Sequence, residues 1–226
     1  MRVIAGEFRS RRLKTLPGLA TRPTPDRLRE TLFNVLAPMI GDSVFLDAYA
    51  GTGAVGIEAL SRGALRCIFV EKNRAAVEVI RENLASLGLN NRAEVYTGKT
   101  LAVLERLTAD VVFLDPPYEL EKEYEAALSI LGANQLGALA KNFVIAQHSS
   151  RTALRSEYGV LLRYRVLKQG DNSLSFYRSP SSAIDLSNAS TNASSSDSVI
   201  GVDKQPNTPR GETMIPRCSI WWHRSP

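Results

Sequence analysis

The sequence predicts an α/β fold: a mostly parallel sheet with helices on both faces, closed on one side by an antiparallel hairpin and preceded by a small basic extension. Three observations carry this expectation. From Ser43 onward, short apolar runs alternate with segments of helical period, the pattern of strand–helix units packed in layers. One run, Val111-Val112-Phe113-Leu114, is apolar at every position, as expected of a strand covered on both faces. Near the end, residues 160–167 and 174–177 read as two strands joined through Gly170-Asp171-Asn172, a turn sequence.

The elements follow in order. Residues 2–5 and 12–15 are short, partly β-branched runs around Gly6 and a basic loop, and predict a small hairpin. Thr21-Arg22-Pro23-Thr24-Pro25 is held extended by its prolines, with Thr24 the expected N-cap and Pro25 the first helical residue. Leu28, Leu32, Val35 and Leu36 recur at helical spacing and give an amphipathic helix over residues 25–38. Strands are expected at 44–46, 67–70, 93–96, 111–114 and 143–146, and helices at 54–61, 101–107 and 121–131. Between strands two and three, Asn73 caps a helix bearing Ala76, Val77, Ile80, Leu84 and Leu87, which Gly88 closes. Beyond Pro180, eight of residues 181–200 are serine and nothing is periodic. Such a segment buries too little apolar surface to offset its ordering entropy, so it is expected to be disordered. The chain thus divides into a basic hairpin and helix (1–40), an α/β body (41–180) and a serine-rich tail (181–226).

Composition narrows the function. The chain of 226 residues is 44% hydrophobic and 23% charged, ordinary for a globular protein with a sizeable core. Its two cysteines, Cys67 and Cys218, lie far apart and provide no disulfide framework, which fits the reducing cytoplasm. The N-terminus lacks the apolar stretch of a signal peptide, and no run approaches the roughly 18 apolar residues of a membrane span. Net charge is +5, and all of it lies in residues 1–30, where eight Lys and Arg face three acids; residues 31–180 hold sixteen of each sign and residues 181–226 four of each. A basic arm on a neutral body points to a polyanionic partner such as nucleic acid. Arg9, Arg11, Arg12 and Lys14 are its candidate contacts, with Arg22 and Arg27 beside the helix start.

Gly51-Thr52-Gly53-Ala54-Val55-Gly56 follows the first strand and opens a helix, and Glu71 lies twenty residues after Gly51 at the end of the second strand. Glycines let the backbone approach a nucleotide-like ligand, and a carboxylate at that spacing accepts hydrogen bonds from ribose hydroxyls. Asp47, four residues before Gly51, changes the assignment. A carboxylate there repels a pyrophosphate but suits a cation. S-adenosylmethionine carries a sulfonium and an ammonium and no phosphate. The run from Phe45 to Gly53 resembles the cofactor loop of the class I methyltransferases, and that resemblance implies cofactor contacts at Asp47, Tyr49, Gly51, Gly53, Glu71 and its neighbour Lys72, then Gly98, Lys99 and Asp115.

Asp115-Pro116-Pro117-Tyr118 follows the fourth strand directly. The prolines fix the backbone and remove amide donors, so that Asp115 and the Pro116 carbonyl can both accept from one NH2 group, while Tyr118 can stack on a base. The lone pair of an exocyclic amine is delocalised and poorly nucleophilic. Acceptors that hold its hydrogens favour the pyramidal, positively charged nitrogen of the transition state. The reaction needs neither a metal nor a covalent intermediate.

The loop around Asp47 resembles that of the class I methyltransferases, and the four-residue segment resembles the Asp/Asn-Pro-Pro-Tyr/Phe motif of amino-methyltransferases. Met1-Arg2-Val3-Ile4-Ala5-Gly6, Arg12-Leu13-Lys14, the stretch from Thr21 to Glu30, Phe33-Asn34 and Leu174-Ser175-Phe176-Tyr177-Arg178 are similar to the RsmD-type ribosomal RNA methyltransferases. The resemblance spans residues 1–179. It implies a Rossmann-like fold with a seven-stranded sheet, S-adenosylmethionine as cofactor, and guanine N2 of 16S ribosomal RNA in the small subunit as target. The chain is expected to act in the cytoplasm as a metal-free monomer. Two positions depart from the pattern. Lys99 stands where the family usually has an adenine-binding aspartate and cannot accept a hydrogen bond. Gln147-His148-Ser149 stands where an acid is frequent, and His148 reads there as a histidine satisfied by its own loop. Three other readings compete. A DNA adenine-N6 methyltransferase would use the same motif but usually needs a larger recognition region. An NAD-dependent oxidoreductase would leave Asp47 and the Asp-Pro-Pro-Tyr segment unexplained. A catalytically inactive RNA-binding module is encouraged by Lys99.

Overall fold

The computed structural model describes residues 1–16, 25–117, 121–133 and 143–179. Helix α1 (Asp26–Ile40) leads into β1 (Val44–Asp47), α2 (Ala54–Ser61), β2 (Arg66–Glu71), α3 (Arg74–Leu87), β3 (Ala93–Thr97), α4 (Thr100–Val103), β4 (Val111–Leu114), α5 (Glu121–Ala133) and β5 (Phe143–Ser149). The short β6 (Glu157–Tyr158), then β7 (Leu161–Gln169) and β8 (Asn172–Arg178), complete a single sheet in the order β3-β2-β1-β4-β5-β8-β7-β6. Strands β1 to β5 run parallel, and β8, β7 and β6 are antiparallel.

The α/β expectation holds, with eight strands in place of seven. The extra one, β6, is two residues long and pairs only through Glu157 and Tyr158 with the start of β7. The expected N-terminal hairpin is reduced to a single antiparallel bridge between Arg2 and Arg12, flanked by amide–carbonyl bonds from Val3 to Arg11 and from Leu13 to Met1, both 3.0 Å. Pro25 is the N-cap of α1 rather than its first residue, and the helix continues through Pro38 to Ile40. A proline in the last turn lacks only one amide, so it ends the helix without breaking its body. The expected helix at 101–107 is one α turn followed by a 3₁₀ turn, Leu104–Arg106. Asn73 and Gly88 cap α3 as expected, with the Asn73 side chain accepting from the amides of Ala75 and Ala76. Thr24 and the serine-rich tail lie outside the described residues.

The sheet separates two apolar clusters. One joins Phe45, Phe69, Phe113, Ile145 and Phe176 of the strands to α1, α2 and α3, and includes Val3 and Leu13 of the basic arm. The other packs Leu46, Val70, Val112 and Val144 against Tyr124, Ala127, Leu128 and Leu131 of α5. The arm is also held by polar groups. Glu58, fully buried on α2, accepts the amides of Ile4 at 2.8 Å and Ala5 at 3.0 Å and the Arg62 guanidinium at 2.7 Å. Arg29 of α1, equally buried, lies 4.0 Å from Glu58 and donates to the Arg2 carbonyl and to Asp26. Asn83 of α3 exchanges hydrogen bonds with the backbone of Lys14 and donates to the Thr52 carbonyl, tying the arm to the glycine loop.

Candidate active site

The order of the sheet places the site. The chain leaves β1 toward β2 on one side, whereas β4 flanks β1 on the other, so a crevice opens above the carboxyl ends of β1 and β4 where the connections diverge. The Ala48 amide bonds the Phe113 carbonyl at 3.0 Å, which sets the start of the glycine loop beside the segment leading into Asp115.

Gly51 and Gly53 both have positive φ, +55° and +81°, which side-chain-bearing residues rarely adopt. Gly53 is the N-cap of α2. Gly56 is required by packing: a Cβ there would stand 2.3 Å from the Phe69 ring and 2.6 Å from the Cys67 sulfur. Helix α2 therefore lies directly on β2. Glu71 is the anchor of the loop. One of its oxygens accepts the Gly51 amide at 2.8 Å and the other the Asn73 amide at 2.7 Å. Each carboxylate oxygen has a second lone pair, so Glu71 can still accept from ribose hydroxyls. The Gly98 amide bonds the Glu71 carbonyl at 3.0 Å, which brings the end of β3 to the same edge.

Asp47 lies behind the loop. It is 1% exposed and accepts the Gly56 amide at 2.9 Å, inside the first turn of α2. Burial pushes its carboxyl up to about 7, against the pull of the Gly56 amide and with a smaller push from Glu71. The carboxyl groups of Asp47 and Glu71 thus flank the loop, and residues 48–56 themselves carry no lysine or arginine. This donor set fits a cationic, ribose-bearing ligand better than a pyrophosphate. The Tyr49 hydroxyl is buried, and burial raises its pKa, with a further push from Glu123. Lys72 and Lys99 are exposed, the latter as N-cap of α4.

At the end of β4, Asp115 is half-buried and Pro116 buried, and Pro117 is exposed. Gln147 Nε2 donates to Asp115 Oδ2 at 3.1 Å. The Tyr124 hydroxyl donates to the Gln147 carbonyl at 2.8 Å and lies 3.3 Å from the Pro116 carbonyl. Since a hydroxyl has one proton and the Gln147 contact is shorter, the Pro116 carbonyl keeps its accepting capacity. Tyr118 lies outside the described residues, as does Arg22. Both ring nitrogens of His148 are engaged, Nδ1 against the Ser149 carbonyl at 2.8 Å and Nε2 against Ser175 Oγ at 2.9 Å. Burial holds its imidazole below the usual range, hence neutral. It is a satisfied histidine, as read from the sequence.

The basic residues are distributed along the arm. Arg9, Arg11, Arg12, Lys14 and Arg27 are exposed. Lys14 pairs with Glu82 at 3.0 Å, and Arg11 donates to the Ser86 carbonyl at 3.4 Å. The tip of the arm bonds Ser61 through the Glu7 amide. Ser61 ends α2, about 10 Å along the helix from the glycine loop. Sequence reasoning missed Arg29, Glu58 and Tyr124, and noted Gln147 only as part of a segment that departs from the family pattern. Among the described residues, no group of three or more His, Cys, Asp or Glu stands placed to hold a metal, and no helix is long and apolar enough to cross a membrane.

A glycine loop, a carboxylate at the end of β2 and an Asp-Pro-Pro segment on this sheet define a class I methyltransferase. Residues 1–178 match the family described as Conserved hypothetical protein 95, and the chain belongs to that family. YlbH of Bacillus subtilis strain 168 is 34% identical over 183 residues, covering 79% of this chain and 98% of that protein. Ribosomal RNA small subunit methyltransferase D of Escherichia coli strain K12 is 42% identical over 119 residues, which span 52% of this chain and 60% of that protein. The solved structure of the Escherichia coli protein yhhF superposes with a TM-score of 0.69 at 33% identity, covering 79% of this chain and 97% of that one. The resemblance read from the motifs is borne out, and the class I fold with it.

Glu71 allows a direct test. Glu71→Ala removes the expected ribose acceptor and the partner of the Gly51 amide. S-adenosylmethionine binding should weaken by about 1–3 kcal/mol, the loss of a hydrogen bond to a charged group, as read by calorimetry. Unchanged affinity would remove Glu71 from the cofactor site.

Proposed function

We propose that the chain transfers a methyl group from S-adenosylmethionine to the exocyclic N2 of a guanine in small-subunit ribosomal RNA, acting in the cytoplasm as a metal-free monomer. The observation that carries this reading is the side-by-side placement of the glycine loop after β1 and the Asp115–Pro116 acceptors after β4. When bound, the cofactor supplies an electrophilic methyl on a sulfonium. Gly51, Gly53 and Glu71 would hold it, Asp115 and the Pro116 carbonyl would hold the two amine hydrogens, and Tyr118 would stack on the base. As the methyl transfers, Asp115 would take up the proton that the amine sheds and pass it to water.

The exposed arm residues Arg9, Arg11, Arg12 and Lys14, with Arg22 and Arg27, position the RNA through its phosphates. Phosphate contacts release counterions, so RNA affinity should fall steeply with salt. Changing Arg9, Arg11, Arg12 and Lys14 together to Ala should lower the salt slope by roughly 0.7–0.9 for each phosphate that the arm no longer neutralises, and leave cofactor affinity untouched. Lys14 and Arg11 already have local partners and should contribute least. A slope and affinity equal to those of the unmodified protein would place the RNA elsewhere. Calorimetry separates the competing classes: S-adenosylmethionine should bind and NAD should not, whereas an inactive RNA-binding module would bind neither.

A further inference from the structure

Asp115 does not stand alone at the end of β4. In the parallel pairing of β4 with β5, Leu114 lies opposite Ala146, so the next position on each strand brings Asp115 and Gln147 together. Gln147 is 3% exposed, and its Nε2 donates to Asp115 Oδ2 at 3.1 Å. Its Oε1 is buried without a partner. The arrangement fixes the sense of the amide. Flipping it would set the carbonyl oxygen against a carboxylate oxygen and bring two acceptors together. The glutamine therefore keeps its donor on Asp115. The backbone of Gln147 is itself held by the Tyr124 hydroxyl, which also touches the Pro116 carbonyl. Gln147 and Tyr124 thus connect both proposed amine acceptors.

We infer that Gln147 is a positioning residue for methyl transfer: its amide donates to one Asp115 oxygen and orients the carboxylate, whose remaining lone pairs accept from the target amine. The inference rests on the amine-methyltransferase reading above. At a segment where the resembled family frequently has an acid, this chain places a neutral donor, whereas an ionised glutamate at Gln147 would repel Asp115 and offer no donor.

Two variants test it, measured with S-adenosylmethionine and small-subunit RNA. Gln147→Met keeps the size and removes the donor. Its turnover should fall at least about 10-fold, as for loss of one oriented polar group acting in the transition state. S-adenosylmethionine affinity and melting temperature should stay near those of the unmodified protein. Gln147→Glu supplies a donor only while the pair shares a proton. Its turnover, taken as a ratio to that of the unmodified protein, should be highest at acid pH and fall as pH rises and the second carboxyl ionises. Among the described residues, the Tyr124 hydroxyl, bound to the Gln147 backbone, and the neutral His148, bound to Ser149 and Ser175 across the strand, also lie near the pair. Equal turnover in Gln147→Met, or a Gln147→Glu ratio flat in pH, would overturn the role of Gln147. An unmodified protein that binds S-adenosylmethionine but methylates no RNA would instead overturn the functional reading.

Discussion

Asp115→Ala should lower turnover about 10²-fold or more, as for removal of one acceptor that acts in the transition state, with S-adenosylmethionine affinity close to that of the unmodified protein. The expectation rests on placement. Asp115 follows β4 at the crevice, the two prolines after it fix the backbone, and Gln147 holds one of its oxygens at 3.1 Å. Its own main contribution is to the amine, whose positive charge develops only as the methyl transfers, so the loss falls on turnover more than on binding. Asp115→Asn is an informative companion. It retains one acceptor but replaces the charge, and should fall between the two. Equal turnover in Asp115→Ala would exclude the carboxylate from the chemistry.

Glu58→Ala should destabilise the fold by about 3–5 kcal/mol, the cost of removing one partner of a buried ion pair and leaving the other uncompensated. Arg29 would keep Asp26 and the Arg2 carbonyl but lose its buried counter-charge, and the amides of Ile4 and Ala5 would lose their acceptor. The arm should loosen where it crosses α2, so RNA affinity should fall together with stability while the glycine loop, held separately by Glu71, keeps its shape. Denaturant unfolding measures the first effect and RNA titration the second. A loss below about 1 kcal/mol, the range of exposed ion pairs, would mean that Glu58 is not a buried partner of Arg29.

Much of this was legible in the sequence because the signals are local. Alternating apolar runs, the Asn73 and Gly88 caps, the glycine loop and the Asp-Pro-Pro segment each act over a few residues, and each lies where the pattern puts it. What escaped depends on strand order. Gln147 becomes a neighbour of Asp115 only once β5 is set parallel beside β4, a pairing across thirty-two residues. Tyr124 had a weak signal, since it shares the spacing of Ala127, Leu128 and Leu131 on one helix face, but its hydroxyl partner could not be read from spacing. Glu58 was visible as the lone acid of a helix otherwise built from Ala, Val, Gly, Ile, Leu and Ser. Its partner Arg29 was counted with the solvent-facing charges of the arm, and burial removes it from that set. The β6 strand was missed because two residues are too few to show alternation.

The most direct test of the functional reading is to supply methyl-labelled S-adenosylmethionine with small-subunit ribosomal RNA, free and as assembled subunit, and to map the product. The expected result is label in the RNA as 2-methylguanine at a defined position, abolished by Asp115→Ala. Label on adenine N6 or in DNA, or no transfer to either RNA form by protein that binds the cofactor, would contradict it.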